Sequence, residues 1–297
     1  MFAVNTDGTG FRTLHSFTAI SGNPPTNSDG GEPLAGLIVS GNTLYGTASI
    51  GGTNGLGTVF AVNTDGTGFN ILRTFSSAGN LASGLIVSGN TLYGTARGGG
   101  AAPNGAAFAI NTDGTSFTNL YYFGGSPDGE YGEWPNAGLI LSGNTLYGTT
   151  YTGGLSYSGG GTVFAVKTNG MGITTLHSFT GGAPNTATNS DGENTSCGLT
   201  LSGNTLYGMA TYGGIAGNGT VFSLSLPLPP QLDMVRSGTN LILKWPTNAT
   251  GFTLQSTTNL APAAVWTTVT PAPVIVKTNN AMTNTLSGPQ KFYRLSQ

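Results

Sequence analysis

The chain has 297 residues, which is enough for two domains, and only 7% of them are charged, with a formal net charge of −2. Nucleic-acid binding needs clustered Lys and Arg to offset phosphate charge, and the nine Lys and Arg residues are scattered. No apolar run is as long as a membrane span, and the N-terminal segment lacks the pattern of a signal peptide. The composition therefore predicts no nucleic-acid partner and no membrane span.

A tandem repeat dominates the sequence. Residues 35–48 read AGLIVSGNTLYGTA, and the motif returns nearly unchanged from Ser83, Ala137 and Cys197. The tyrosines of successive copies are separated by 48, 54 and 60 residues. These tyrosines are Tyr45, Tyr93, Tyr147 and Tyr207. Such a period is typical of propeller blades and too long for most helical solenoids.

Each repeat contains four short apolar runs, which we name strands A to D: GLIVS, TLYGTA, VFAV and the run that ends in LHSF or a variant of it. Gly-Asn turns join A to B and Asn-Thr-Asp-Gly turns join C to D, and both are typical of hairpins. Gly makes up 50 of the 297 residues and no 3.6-residue apolar period persists, which argues against helix. The sequence predicts an all-β chain with four antiparallel strands per repeat.

Successive repeats are expected to stack, because a four-stranded unit of this size cannot bury both of its faces alone. We expect a β-propeller-like array. Complete repeats span residues 36–75, 84–123 and 138–179, whereas residues 198–226 supply only strands A to C and the N-terminus supplies C and D. Two alternatives follow: a four-bladed ring that borrows its last D strand from the N-terminus, or a truncated array whose unpaired edge strands allow self-association.

A second domain is expected after the repeats, which end near Leu226. The Pro-rich linker of residues 227–231 cannot readily join a sheet ladder. Residues 232–297 contain runs that alternate apolar and polar residues, among them LILKW, FTLQS and FYRLS. This pattern predicts a small C-terminal β-sandwich following the tandem-repeat domain of residues 1–226.

A functional site is expected on the face formed by the B-to-C and D-to-A loops, because these loops vary among the repeats. Acidic and aromatic side chains concentrate in the D-to-A loops. The candidate ligand-binding residues are Asp29, Glu32, Asp128, Glu130, Tyr131, Trp134, Asp191 and Glu193. Carboxylates accept hydrogen bonds from sugar hydroxyls, and aromatic rings cover the apolar face of a pyranose. The pattern favours binding of a polysaccharide or a cell-surface glycan.

Other interpretations of these loops remain open. The acidic residues can instead shape turns by bonding to their own backbone. Calcium would suit the carboxylates, although their spacing matches no EF-hand loop, and no other cofactor or metal is expected. In a polysaccharide-acting enzyme, either a glycoside hydrolase or a lyase, the catalytic pair would be Glu130 and Glu133. His15 and His177 share one repeat position on strand D and are expected at the surface.

The repeat also resembles a known bacterial family. The pattern DGxxPxAGLxxSGNTLYGT, followed by GG and GTVFAVNTDG, is similar to the GloVer tandem repeat of "choice-of-anchor" surface or secreted proteins, over residues 1–226. The C-terminal LKWP, FTLQSTTNL and FYRLSQ look like the short sandwich module that closes such proteins. The resemblance implies an exported, propeller-like array without a catalytic motif. Together with the polar, nearly uncharged composition, it predicts a non-enzymatic scaffold that is extracellular or on the cell surface.

Overall fold

The structure is a computed structural model that describes residues 1–76, 83–98, 103–124, 129–155, 159–181, 188–227, 230–247, 252–261, 264–285 and 290–296. These residues form strands, turns and loops but no helix, as predicted. Accordingly, the described part of the chain has no helix that is long and apolar enough to cross a membrane. The chain divides into two compact units, Met1–Ser225 and Leu226–Gln297.

Three sheets of the first unit are complete, and each has four antiparallel strands in chain order. Sheet I consists of β3 (Ile38–Ser40), β4 (Thr43–Ala48), β5 (Thr58–Asn63) and β6 (Asn70–Thr74). Sheet II consists of β7 (Ile86–Ser88), β8 (Thr91–Ala96), β9 (Ala106–Asn111) and β10 (Thr118–Tyr122). Sheet III consists of β11 (Ile140–Ser142), β12 (Thr145–Thr150), β13 (Thr162–Lys167) and β14 (Thr174–Ser178). In each sheet the four strands are the A, B, C and D strands predicted from the sequence.

An incomplete sheet lies at each end of the first unit. The N-terminal hairpin pairs β1 (Phe2–Ala3) with β2 (Arg12–Thr13), which are a C strand and a D strand. Sheet IV contains only strands A, B and C, namely β15 (Thr200–Ser202), β16 (Thr205–Ala210) and β17 (Thr220–Ser225). Among the described residues β17 pairs only with β16, so β2 does not close a four-bladed ring. The array of the described residues is therefore open, and β17 forms an edge strand.

Local turn chemistry explains why the strands stop where they do. In the C-to-D turn of sheet I, Oδ1 of Asp65 accepts hydrogen bonds from the backbone N–H of Thr67 at 2.9 Å and from its hydroxyl at 2.6 Å. Gly66 completes this turn with a φ of 90°, a conformation that glycine adopts without a steric penalty. Because these contacts lie within a few residues, the sequence alone could predict the hairpins.

Successive sheets pack face to face, and the same repeat positions meet at each interface. Between sheets I and II, one side of the core is formed by Tyr45, Val59 and Phe75, and the other by Leu85, Leu92, Phe108 and Ile110. Between sheets II and III, the matching residues are Tyr93, Ala107 and Phe123 on one side and Leu139, Leu146, Phe164 and Val166 on the other. Sheet II thus buries its two faces against two different neighbours, and the stacking makes the array propeller-like.

A buried hydroxyl reinforces each of these interfaces. The threonine of the TLYGT motif on strand B donates to a backbone carbonyl at the start of the next repeat. Thr47 donates to Ser83 at 3.0 Å, Thr95 to Ala137 at 2.9 Å, and Thr149 to Cys197 at 3.3 Å. These bonds satisfy polar groups that the stacking removes from water.

The second unit is a small antiparallel β-sandwich, as predicted. One sheet contains β18 (Asp233–Ser237), β19 (Asn240–Pro246), β23 (Asn279–Thr285) and β22 (Val274–Val276), and the other contains β21 (Thr267–Thr268), β20 (Thr253–Thr257) and β24 (Phe292–Ser296). The buried core consists of Leu243, Trp245, Leu254, Val269 and Met282. Alternation along β19 places Leu243 and Trp245 on the same inward face.

The glycine of the LYG motif sets the packing of each repeat, and it can be tested in sheet II. A Cβ on Gly94 would lie 2.7 Å from Cζ of Phe108 and 2.8 Å from Cδ2 of Leu85, both of which are buried. We expect Gly94→Ala to lower the free energy of unfolding by about 1–3 kcal/mol, because overpacking forces these side chains aside. Urea denaturation of the full chain measures the change.

The matched control is Gly198→Ala, since a Cβ on Gly198 would have no neighbour within 4 Å. This variant should differ from the parent by no more than about 0.5 kcal/mol. Equal stability of the Gly94→Ala variant and the parent would show that the Phe108 ring can shift at no cost, and would contradict the close packing described above.

Candidate functional site

The candidate residues lie in segments that connect a D strand to the following A strand. We name the described parts of these segments rim loop 1 (residues 18–37), rim loop 2 (residues 129–139) and rim loop 3 (residues 188–199). Asp128 lies outside the described residues. Each rim loop forms an isolated antiparallel bridge with the segment after the next B strand, and these bridges are Gly31 with Ile50, Glu133 with Thr152 and Glu193 with Tyr212. The three loops therefore share one backbone arrangement.

Hydrogen bonds establish which positions correspond among the rim loops. The first threonine of each following C strand donates its hydroxyl to one backbone carbonyl of the loop. Thr58 donates to Asp29 at 3.2 Å, Thr162 to Tyr131 at 3.2 Å, and Thr220 to Asp191 at 2.9 Å. Asp29, Tyr131 and Asp191 therefore occupy the same repeat position, in agreement with their equal distance of six residues from the start of the next motif at Ala35, Ala137 and Cys197.

A left-handed residue follows three positions later in every rim loop. The φ angles are 51° at Glu32, 56° at Trp134 and 58° at Asn194. Non-glycine residues rarely adopt this conformation, so the surrounding bridge holds it in place. Glu32 and Trp134 are thus structurally equivalent, whereas Glu193 corresponds to Glu133.

In rim loop 1 the Asp29 carboxylate is buried and bonded within the protein. Its Oδ2 lies 2.9 Å from Nε2 of His15, a residue near the end of strand D. The backbone N–H of Thr18 donates to both carboxylate oxygens, at 3.1 and 3.2 Å, and the Thr18 hydroxyl donates to Oδ1. Asp29 therefore ties the rim loop to the end of the preceding strand.

Rim loop 3 repeats this arrangement. Asp191 lies 3.1 Å from Nε2 of His177, and it accepts hydrogen bonds from the backbone N–H of Thr180 at 3.2 Å and from the Thr180 hydroxyl. Oδ1 of Asn189 accepts the backbone N–H of Gly192 at 2.7 Å and so braces the same turn. The two aspartates have internal structural partners, and their predicted role in ligand binding stays a prediction.

The histidines were expected at the surface, but the structure places both of them partly buried, each against an aspartate. Each His and its Asp are separated by 14 residues, between a shared LHSFT and a shared NSDG. This recurrence at constant spacing is the sequence signal that could have revealed the pairs. A conserved distance between two polar repeat positions indicates a contact more strongly than either residue type does.

The electrostatics of Asp29 follow from these contacts. Burial by itself would raise the pKa of the Asp29 carboxyl, but the hydrogen bonds from Thr18 and His15 outweigh it and lower the pKa below its usual range. The carboxylate therefore stays ionised at neutral pH. Because its folded-state pKa is lowered, its ionisation contributes to stability above the unfolded-state pKa.

Rim loop 2 departs from this pattern. Tyr131 takes the position of the aspartate, Tyr121 takes the position of the histidine, and their rings meet edge to face at 5.7 Å. Burial, followed by the nearby Tyr131 and Glu130, raises the pKa of the Tyr121 phenol. Within the described residues, no group donates a hydrogen bond to the Glu130 carboxylate. The loop thus pairs two tyrosines beside a carboxylate that has no hydrogen-bond donor among the described residues.

Two further side chains of rim loop 2 have different surroundings. The guanidinium carbon of Arg97 lies 5.5 Å from the Trp134 ring centroid, over a half-buried ring. Oε1 of Glu133 accepts a hydrogen bond from Nδ2 of Asn104 at 2.9 Å. Glu130 and Glu133, considered above as a catalytic pair, therefore have different surroundings, since among the described residues the Glu133 carboxylate accepts a side-chain hydrogen bond and the Glu130 carboxylate does not.

Rim loops 2 and 3 are neighbours on the rim. The backbone of Tyr151 links them, because its N–H donates to the Trp134 carbonyl at 3.1 Å and its carbonyl accepts from Nδ2 of Asn194 at 3.0 Å. Rim loop 1 instead lies between the N-terminal hairpin and sheet I. In the described residues, no three His, Cys, Asp or Glu side chains form a group suited to a metal ion, and calcium binding stays a prediction.

The His–Asp contact of rim loop 1 leads to a prediction about stability and pH. Asp29→Asn should lower the free energy of unfolding at pH 7 by about 1–3 kcal/mol, because charge-assisted hydrogen bonds to a buried group are lost. The contribution of the carboxylate disappears as the pH falls through its lowered folded-state pKa. The difference between variant and parent should therefore shrink in acid. Urea denaturation at a series of pH values measures this difference.

Glu32→Gln provides the matched control, because Glu32 is an exposed residue of the same loop whose carboxylate accepts one long hydrogen bond, from the Ser49 hydroxyl at 3.4 Å, and the Gln amide oxygen can accept it as well. It should change stability by no more than about 0.5 kcal/mol at any pH. A constant loss in Asp29→Asn across the whole pH range would show that the charge of Asp29 has no part in the contact.

Comparison with known proteins identifies the repeat. No curated protein is a significant match. Among solved structures, the chain is similar to TolB from Acinetobacter baumannii (12% identity, TM-score 0.40, 84% of this chain and 57% of that one) and to the GH74 enzyme of Niastella koreensis (16%, 0.43, 80% and 37%). A Bacteroides ovatus xyloglucan PUL GH43B gives 14% identity and a TM-score of 0.37, over 75% of this chain and 50% of that one.

The chain thus spans little more than half of the length of TolB and less of the GH74 enzyme. A sequence-family model provides the informative match: the Gloeobacter/Verrucomicrobia repeat aligns with residues 77–237, more than half of the chain. This region includes the strands of sheets II and III, which have four strands each, and of the three-stranded sheet IV. The chain belongs to the Gloeobacter/Verrucomicrobia repeat family.

Proposed function

We propose that this protein is a non-enzymatic repeat scaffold, located outside the cell or on its surface, that binds carbohydrate through rim loop 2. Family membership supports the scaffold, because the family is defined by the repeat itself. The polar, nearly uncharged composition supports the location, with charged residues at 7% of the chain. The choice of carbohydrate as the ligand is based on the side chains of rim loop 2.

The departure of rim loop 2 from its sister loops is the observation that carries the proposal. Rim loops 1 and 3 commit their aspartates to internal His–Asp contacts. Rim loop 2 replaces both partners with Tyr121 and Tyr131. Where two repeats keep the same His–Asp contact and a third replaces both residues, the third is a good candidate for a functional role.

The chemistry of rim loop 2 suits a sugar. Glu130 supplies a carboxylate that can accept hydrogen bonds from hydroxyl groups, and no described group competes for it. The phenol of Tyr131 and the indole of Trp134 add rings whose faces can cover the C–H surface of a pyranose. Arg97, over the Trp134 ring, adds hydrogen-bond donors at the same place. A neutral or partly acidic polysaccharide would meet both donors and acceptors there.

The proposal predicts that one loop binds glycans. The full chain should bind selectively on a broad glycan array, and Trp134→Ala should weaken binding to the selected glycan tenfold or more, about 1.4 kcal/mol or more. Glu130→Gln should also weaken binding while leaving the melting temperature unchanged, since its carboxylate has no partner within the described residues. Titration calorimetry with the selected oligosaccharide measures both effects.

Glu32→Ala is the matched control, because Glu32 occupies the repeat position of Trp134 and has a similar φ. It should bind like the parent. An array without any selective glycan, or a loss of binding that only follows a lower melting temperature, would refute the carbohydrate site. Hydrolysis of the bound glycan that is abolished by Glu130→Gln would show instead that the protein is an enzyme.

A further inference from the structure

The free edge of sheet IV forms a recess that other sheets fill. In sheets I, II and III the C strand pairs with strand B on one side and with strand D on the other. The C–D pairs are β5 with β6, β9 with β10, and β13 with β14. In the described part of sheet IV, β17 has no such neighbour. A cavity of about 300 Å³ lies along this edge, lined by β17 residues together with His177, Phe179 and Asp191.

The complete repeats show which residues occupy the corresponding recess. Where sheet I meets the N-terminal hairpin, the ring of Phe69, just before β6, stacks on His15 with centroids 3.6 Å apart and planes 2° apart. The same ring lies 5.6 Å from Phe60 of the C strand. The corresponding residues at sheet IV are His177 of β14 and Phe222 of β17 itself. The recess therefore matches a D strand preceded by an aromatic residue.

The chain carries such a strand at its other end. Phe11 comes directly before β2, at the repeat position of Phe69. It is 66% exposed and stacks on Phe2 at 5.4 Å, much as Phe69 stacks on Phe60. β1 and β2 form two residue pairs, extended by bonds from the Met1 amino group to the His15 carbonyl at 2.7 Å and from the Leu14 N–H to the Met1 carbonyl at 3.0 Å, whereas the complete sheets have four pairs between strands C and D. The D strand of the N-terminal hairpin thus has a shorter paired segment than the D strands of the complete sheets.

We propose that two copies of this chain join end to end, with β2 of one copy adding to β17 of the other and Phe11 entering the recess beside His177. β17 takes the place of β1, and the register is already defined by the hairpin. Phe2 and Ala3 pair with Thr13 and Arg12, and Phe222 and Ser223 hold the same repeat positions as Phe2 and Ala3. The join completes sheet IV with a strand of the second copy.

Exposed apolar residues at the two ends support a second copy as the occupant. Val221 is 81% exposed, whereas its equivalents Val59 and Val163 are fully buried against the next sheet. On sheet I, Leu37 is 39% exposed, whereas its equivalent Leu85 is 6% exposed. In the proposed join, sheet IV of one copy stacks on sheet I of the other. The exposed face of sheet IV in one copy then covers the exposed face of sheet I in the other. The contacts are those that already join sheets I and II within one chain.

Met209 suits this join as well. It replaces the threonine that donates to the next repeat in sheets I, II and III, and its side chain is exposed in sheet IV. A thioether adapts to an apolar partner without leaving a buried hydroxyl unsatisfied. Because the contact is head to tail, each copy in a pair retains one free end. Further copies can therefore add to form an open oligomer or a closed ring.

Disulfide trapping tests the register directly. In a Cys197→Ser background, which removes the single cysteine, one protein carries Arg12→Cys and a second carries Ser223→Cys. Mixed under oxidising conditions, the two should form a crosslinked heterodimer, and neither should crosslink efficiently alone. A third protein with both substitutions should form crosslinked species of more than one chain. If that protein instead forms only an intramolecular disulfide, β2 closes on its own chain and the proposal is overturned.

Sedimentation of the uncrosslinked full chain provides the second arm of the test. The weight-average mass should rise with protein concentration, and Phe11→Asp or Val221→Lys should return it to the mass of one chain. Met171→Asp is the matched control, because Met171 is an exposed apolar residue in the turn between β13 and β14 of sheet III, which lies at neither end of the array, and its variant should associate like the parent. A parent that stays monomeric at all concentrations, or association that survives both end variants, refutes the end-to-end join.

Discussion

The structure of the first unit depends on the packing of one phenylalanine of strand C against a neighbouring glycine and the preceding sheet. In each repeat the ring lies over the glycine of LYG, where a Cβ would approach it to within 3 Å. The same ring contacts the phenylalanine that ends strand D of the preceding repeat, as Phe75 and Phe108 do at 5.5 Å. One residue thus holds together its own sheet and its neighbour, and every sheet requires another sheet on each face.

This requirement explains the character of the ends and of the rim. The stacking leaves an uncovered apolar face wherever a neighbour is missing, which is why equivalent valines range from fully buried to largely exposed along one chain. The rim loops must cross from one sheet to the next at a fixed separation, and the His–Asp–Thr contacts of Asp29 and Asp191 fasten two of these crossings. Acidity on the rim is therefore partly a structural property.

Rim loop 2 shows how the side chains of one repeat can change while the backbone of the loop is kept. The threonine bond to Tyr131 and the left-handed Trp134 preserve the backbone of the loop. The side chains are then free to differ, and the His–Asp pair gives way to two tyrosines next to Glu130. Membership of the Gloeobacter/Verrucomicrobia repeat family accounts for the shared backbone, and the proposed carbohydrate binding concerns only the side chains that depart from it.

The sequence by itself determined the strands, the hairpin turns, the number of complete repeats and the all-β class, because these depend on contacts within a few residues and on a motif that recurs almost unchanged. It also predicted that Tyr131 and Trp134 belong to one loop. Only the tertiary structure decided that β2 pairs with β1 rather than with β17, that Asp29 is buried against His15, and that Glu32 and Trp134 both adopt a left-handed backbone. Strand pairing across the whole array and the removal of a carboxylate from water both depend on residues far apart in the chain. A local pattern does not specify such partners.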